Sequence, residues 1–422
     1  MSVVDRDVAA VKRVAVTPAA LVMCFGISLG PGLLEPAGAQ ARFEAVGAFS
    51  DGTYVTDAKA VSADGSTVVG SGPSGYGWMA FRWTRTGGLI PIAEMTEARG
   101  VSRDGSIVVG IYPYGTTAVW SQGGGVQSLA QFRGNHGPTD STATASADDG
   151  NGVAGLHPAY ASVKRGFLEV GINWYWLDPL SDPNRVHGLL RVLGPEAVSA
   201  DGRVIVGAAT RRSSWSWSTL YGEAFRWELV ANAAGGARVE IVFPDDAAAI
   251  HPTITSDSEF QYGNVLYKSQ ATDVTPDGAF VVGTRYSTTP FPEYAPIAVA
   301  FRWSRSLGVQ LLGTLPGALS DSRAYGVNGT GAIVVGASQG RAFRWTPNSM
   351  RDLRSVLIDD YGLGDELRDW TLSVATDISD DGRTIVGNGS HAGVRKAWIA
   401  TLADRRPRFP DLVFQWFMRF WQ

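Results

Sequence analysis

Apolar and polar positions alternate in short bursts along most of this chain, and the bursts come in a fixed order. The pattern Ala-x-x-Val-Ser-x-Asp-Gly-x-x-Val-Val-Gly appears seven times: AKAVSADGSTVVG from Ala58, ARGVSRDGSIVVG from Ala98, ATASADDGNGVAG from Ala143, EAVSADGRVIVG from Glu196, ATDVTPDGAFVVG from Ala271, AYGVNGTGAIVVG from Ala324 and ATDISDDGRTIVG from Ala375. Period-two alternation with β-branched residues on both sides of Asp-Gly predicts a hairpin of two strands, a and b, joined by a type I′ turn. A second burst trails most copies: AFRWT at Ala80, AVWS at Ala118, AFRW at Ala224, AFRWS at Ala300, AFRWT at Ala342 and AWIAT at Ala397, with GFLE at Gly166 in the third unit. It predicts strand c, and after a Gly-rich turn such as Gly87-Gly88 the run Leu89 to Ile92 predicts strand d.

Four antiparallel strands per unit make a propeller blade. From Asp64 the turn position recurs at Asp104, Asp149, Asp201, Asp277, Thr330 and Asp381, in steps of 40, 45, 52, 76, 53 and 51 residues. These steps match units of ~40–50 residues with insertions. No 3.6-residue period runs through the units, which excludes a helical solenoid. The seventh unit has no apolar strand d before Leu402, and a lone strand, Arg42 to Val46, precedes the first unit. The expected fold is therefore all-β: a seven-bladed β-propeller of four-stranded antiparallel blades over residues 42–403, with the N-terminal strand closing the last blade.

Composition agrees with many short strands: 51 Gly, 14 Trp and 18% charged residues in a chain of 422. A net charge of −4 leaves no basic excess for phosphate backbones, so nucleic acid is not expected as a partner. Residues 1–39 read as a secretory signal peptide: Lys12 and Arg13, an apolar run from Val14 to Leu29, and Ala37-Gly38-Ala39 before cleavage. The single cysteine, Cys24, lies inside that segment, so the mature protein is expected to hold no disulfide. A secreted or cell-surface location follows. Residues 404–422 form an aromatic tail, too short for a membrane-spanning helix; contact with a membrane interface and folding back onto the propeller stand as alternatives.

The repeated units resemble those of the HAF family of bacterial extracellular repeat proteins, named for a His-Ala-Phe element that corresponds to the Ala-Phe of AFRWT here. The resemblance covers residues 42 to 402 and is most specific over Trp370 to Leu402, WTLSVATDISDDGRTIVGNGSHAGVRKAWIATL. It implies secretion or surface display and brings no catalytic residues. The departure is at the C-terminus, where no barrel domain follows Leu402. The turns also bear a looser similarity to the Ser-x-Asp-x-Gly boxes of sialidase-type propellers, although Val-Val-Gly stands where those carry Thr-Trp.

Strand alternation puts the a–b and c–d turns on one face and the b–c and d–a connections on the other. The long segments, 208–223 and 284–296 between b and c and 132–142, 179–195 and 243–270 between d and a, fall on the second face. Binding residues concentrate on such loops. Within them Arg211, Arg212, Trp215 and Trp217 form the candidate ligand site, with guanidinium and indole groups suited to sugar rings or a protein partner; packing of the tryptophans under the loop is the competing reading. Trp174 and Trp176 occupy the strand d slot of the third unit and read as packing residues. Asp245, Asp246, Asp257 and Glu259 lack calcium-loop spacing, and His136, His157, His187, His251 and His391 lack metal-ligand spacing. No cofactor or metal is expected. The recurrent Arg82, Arg226, Arg302 and Arg344 read as stems lying between blades with their heads paired to polar groups.

Two functions follow. The first is a non-catalytic binding or structural module, a monomer whose partner is a glycan or a surface protein. The alternative is an extracellular polysaccharide hydrolase or lyase, which requires two carboxylates ~5–10 Å apart.

Overall fold

The computed structural model describes residues 40–129 apart from 76 and 114, then 142–146, 152–160, 163–170, 173–176, 191–212, 220–231, 237–242, 261–262, 265–267, 269–287, 297–317 and 321–403. All of them belong to one compact unit, Gln40–Gln422. The proposed signal segment, the 404–422 tail and most of the long connections lie outside the described residues.

Six sheets are four-stranded antiparallel blades, spanning residues 57–92, 97–128, 142–176, 269–313 and 322–352 for units 1, 2, 3, 5 and 6, and 370–401 with Arg42–Ala45 for unit 7. The expectation of seven such blades is corrected at unit 4. Its sheet has six strands, in which Val265–Tyr267 runs parallel to the start of Leu220–Ala231 and Ala237–Val242 pairs with the same long strand. The 76-residue step after Asp201 thus adds strands to the sheet rather than a plain loop.

The chain closes on itself as its ends predict. Arg42–Ala45 pairs antiparallel with Val394–Thr401, Phe43 facing Ala400 and Ala45 facing Trp398. Phe43 is buried, set edge-on to Trp370 at 5.1 Å and tilted against Trp398 at 6.0 Å.

The core is divided into layers between consecutive units. Phe81 and Trp83 pack with Val386, Ala397 and Ile399 of unit 7, while Ala80 and Val69 pack against Ala98, Val108 and Ala118 of unit 2. Strand c therefore presents its aromatic residues to the preceding unit and its arginine to the following one, as alternation requires. Each fully buried ring of this kind contributes about 1.5–3 kcal/mol. Arg82 Nε donates to Gly105 O at 3.0 Å, Arg226 Nε to Gly278 O at 3.1 Å, and an Arg302 terminal nitrogen to Gly331 O at 2.6 Å. The acceptor in each case is the turn glycine of the next unit, so the arginine ties one unit to its neighbour.

Two local features differ from expectation or were not anticipated. The turn glycines are left-handed, with φ of 72° at Gly65 and 73° at Gly382, but the aspartates before them are not. Gly65 N–H donates to Ser62 O at 2.8 Å, so the turn is a type I turn followed by a left-handed glycine, the G1-bulge hairpin, and not the type I′ expected. Asp64 completes it by accepting from Ser62 Oγ at 2.5 Å and Ser66 N–H at 2.9 Å.

The second feature is a β-bulge in strand a of every unit. The register slips between Ala58 and Ala60, Ala98 and Gly100, Ala143 and Ala145, Pro195 and Ala197, Ala271 and Asp273, Ala324 and Gly326, and Ala375 and Asp377. The bulge drives a carbonyl of strand a into the space where strand b would carry a Cβ. At Gly70 that carbonyl belongs to Asp57, and at Gly387 to Val374. The glycine ending Val-Val-Gly is thus the partner of the bulge.

Among the described residues a helix, α1 at Leu353–Tyr361, interrupts the all-β pattern between units 6 and 7. Asp352 caps it by accepting the N–H of Ser355, and Gly362, at φ 73°, ends it. Leu353 and Leu357 fill the layer under Trp370 and Leu372.

Candidate functional site: a carboxyl-lined cavity where the units converge

The first strands of units 1, 2, 4, 5, 6 and 7 converge on a cavity of about 110 Å³. Its apolar belt includes Val61, Val101, Val198, Val274, Val327 and Ile378, the Val/Ile of the repeat; Asp273, Asp377, Asp380 and Arg103 supply its charge. Cavities that hold small-molecule ligands are usually ~300–1,000 Å³, whereas this one has room for several waters.

Asp273 and Asp377 occupy the residue before that Val/Ile in units 5 and 7, where the other units have Ala or Gly. The bulge just before them turns each carboxylate toward the neighbouring unit. Asp377 accepts Val61 N–H of unit 1 at 2.8 Å and its neighbour Ile378 N–H at 2.7 Å. Asp273 accepts Val327 N–H of unit 6 and Val274 N–H, both at 2.8 Å. The preceding threonines complete each clasp: Thr376 donates to Ala58 O at 2.8 Å and Thr272 to Ala324 O at 2.9 Å. The triplet Ala-Thr-Asp is therefore a two-bond joint between units, made once from unit 5 to 6 and once from unit 7 to 1.

Burial pushes both carboxyls up. Asp377 rises to about 7, chiefly through loss of water and secondarily through the charge of Asp380, against the lowering pull of its two backbone donors. Asp273 is raised well above the usual range, first by burial and then by Asp377 itself. Asp380 pairs with Arg103 of unit 2 at 3.2 Å, and its N–H donates to Ala63 O at 3.0 Å.

Further along strand a, the residues at the bulges and just before them carry charge. Lys59 bridges Asp57 at 2.9 Å and Glu97 at 3.4 Å, and Arg99 pairs with Glu97 at 3.1 Å. Burial works to lower the Lys59 ammonium, but the two carboxylates outweigh it and hold it above its usual value. Glu196 accepts from Gln270 at 3.2 Å; loss of water on burial raises its carboxyl against the pull of that bond and of the Arg99 charge.

Of the residues singled out in the sequence, Arg211 and Arg212 end strand b of unit 4, Val204–Arg212, opposite Tyr221 and Leu220. They extend a strand rather than begin a loop. Trp215 and Trp217 lie outside the described residues, as do Asp245, Asp246, Asp257, Glu259, His136, His187 and His251. Trp174 and Trp176 stand in strand d of unit 3, opposite Glu169 and Phe167. His391 stacks on Trp370 at 5.1 Å. Among the described residues no group of three or more His, Cys, Asp or Glu is arranged to hold a metal ion.

The carboxyl pair was missed in the sequence because each aspartate looks like a surface residue of a strand. The available signal was the departure of Ala271-Thr-Asp and Ala375-Thr-Asp from the small residue held at that position in the other units.

Sheet order, the layered cores and the terminal strand exchange define a β-propeller protein. No family model and no curated protein matches the chain. Among solved structures it is similar to an oligogalacturonate lyase in complex with manganese, at 11% identity over 86% of this chain and 97% of that one, with a TM-score of 0.45. The β-propeller domain of the Trilobed protease from Pyrococcus furiosus is similar at 10% identity over 85% and 98%, TM-score 0.45, and TolB from Acinetobacter baumannii at 9% over 81% and 65%, TM-score 0.37. No residue role is carried over from them.

Proposed function

We propose that this protein is a non-catalytic interaction module, exported by its N-terminal segment and displayed outside the cell as a HAF-type repeat propeller in which the six-stranded sheet of unit 4 takes the place of a seventh blade. The observation that carries this reading is the engagement of the buried carboxylates. Each oxygen of Asp273 and Asp377 accepts a backbone N–H, and the cavity beside them is too small for a saccharide, so the pair serves the joints between units. Ligand contact then falls to the connections between strands b and c and between d and a, with Trp215 and Trp217, together with Arg211 and Arg212 at the end of strand b of unit 4, as the binding group and a glycan or surface protein as partner.

The test is a glycan array and a surface-protein screen on the full chain beside the double variant Trp215→Ala/Trp217→Ala. Binding that the variant loses supports the reading; binding it retains removes that site. The alternative, a polysaccharide hydrolase or lyase, draws on the raised carboxyls of Asp273 and Asp377. Release of new sugar ends from a polysaccharide, abolished in Asp273→Asn, would favour it over binding alone.

A further inference from the structure

Asp273 and Asp377 flank one peptide. Asp273 accepts the N–H of Val327 at 2.8 Å. Gly326, the residue before, lies against Asp377, whose Cα and Oδ1 stand within 2.9 and 3.1 Å of where a Cβ would be. Two buried carboxyls thus meet across a single glycine of unit 6, in a space that a side chain at position 326 would fill.

Among the described residues little balances two negative charges. Asp380, in the a–b turn of unit 7, adds a third carboxyl, and unit 4 contributes the apolar Val198 and Ala200. The cation lining the cavity is Arg103 of unit 2, which is bonded to Asp380 and keeps 54% of its side-chain surface in solvent. Like charges this close in a water-poor site do not ionise together at ordinary cost.

We propose that Asp273 and Asp377 carry one proton between them across the Gly326–Val327 peptide, and that loss of this proton loosens the joints from unit 5 to unit 6 and from unit 7 to unit 1. The singly protonated pair leaves all four backbone N–H donors with an acceptor oxygen. The doubly ionised pair keeps the same bonds but sets two uncompensated charges on either side of one peptide, a repulsion that separation of the units or entry of water relieves. The device is a pH-dependent tightness of the ring, with the seam between its first and last units at one of the two sensitive joints. It is independent of what the outer loops bind.

The experiment uses the full chain, Asp377→Asn and Asp273→Asn, with two measurements across pH: thermal unfolding, and difference infrared spectra of the protonated-carboxyl C=O stretch. In the wild type a buried-carboxyl band is expected to disappear as pH rises through about neutral, while Tm falls by about 3 °C or more from about pH 4, where the unfolded chain ionises, and levels once the folded carboxyl has lost its proton. Asp377→Asn should remove that part of the fall. In Asp273→Asn the remaining carboxyl should release its proton at lower pH, because its like-charged neighbour is gone. The proposal is overturned if Asp377→Asn keeps the wild-type pH dependence, or if Asp273→Asn leaves the band titrating where it does in the wild type. Should either variant fail to fold, absence of the band from the wild type below neutral pH would overturn it alone.

Discussion

Asp377 accepts the backbone N–H of Val61 at 2.8 Å across 316 residues of sequence. That bond lies on the inner strands of the seam, and the pairing of Phe43 with Ala400 lies on its outer strands. Asn388, on strand b of unit 7, adds two bonds to the inner strand of unit 1 by accepting Ala58 N–H at 2.8 Å and donating to Asp57 at 2.7 Å. The ring is thus closed by a terminal strand and by inner-strand polar bonds together, so damage to either is expected to register in global stability.

The closing strand depends on Phe43, wedged between Trp370 and Trp398. Phe43→Ala should destabilise by about 3–5 kcal/mol through lost burial and the cavity left behind. Denaturant titration checks it; a change under about 1 kcal/mol would mean that the strand exchange does not hold the ring.

Gly387 faces the carbonyl of Val374 at the bulge, and Gly364, in the connection after helix α1, has only a methyl group of Ile358 at 3.9 Å. Gly387→Ala should cost at least the ~1–3 kcal/mol of an overpacked site, because the obstacle is backbone. Gly364→Ala should be neutral, or stabilising by about 0.4–1 kcal/mol through a less flexible unfolded chain. Equal effects at the two positions would remove the bulge as the reason for Val-Val-Gly.

Arg302 reaches Gly331 O at 2.6 Å and Gln310 at 2.8 Å, with its guanidinium 4.9 Å from the Phe280 ring and 4.8 Å from the Trp345 ring. Arg302→Lys keeps the charge but loses the planar fork that makes these contacts at once. A loss of about 1–3 kcal/mol is expected in equilibrium unfolding. Full stability in the lysine variant would show that charge alone holds this joint.

Asp104 carries its carboxyl below the usual range because it accepts the Ser106 N–H and then the Ser102 and Ser106 hydroxyls. A carboxyl lowered in the folded state contributes stability above its unfolded pKa of about 4, and that contribution is lost as pH falls through the folded value. Asp104→Asn should therefore be less stable than the wild type near neutrality and converge with it on acidification. A stability gap that stays constant with pH would mean that the turn does not depend on ionisation.

Much of this architecture was legible in the chain. The Asp-Gly hairpins, the AFRW strands, the inter-unit reach of Arg82, Arg226 and Arg302, and the exchanged strand at Arg42–Ala45 all follow from short-range periodicity and turn chemistry, which depend on neighbours in sequence. Helix α1 was not expected: Asp352 before an apolar run and Gly362 after it are start and stop signals, but nine residues between strands read as a loop.

What only the tertiary structure decided are the features made between units. The bulge at Lys59 and its six counterparts leaves no mark in local propensity, because its partner is the missing Cβ of a glycine on the next strand. The added strands of unit 4 arise where an insertion finds the open edge of a long strand c. The raised carboxyls of Asp273 and Asp377 come from strands of six units brought to a common centre, which removes water from groups that the sequence alone would leave solvated.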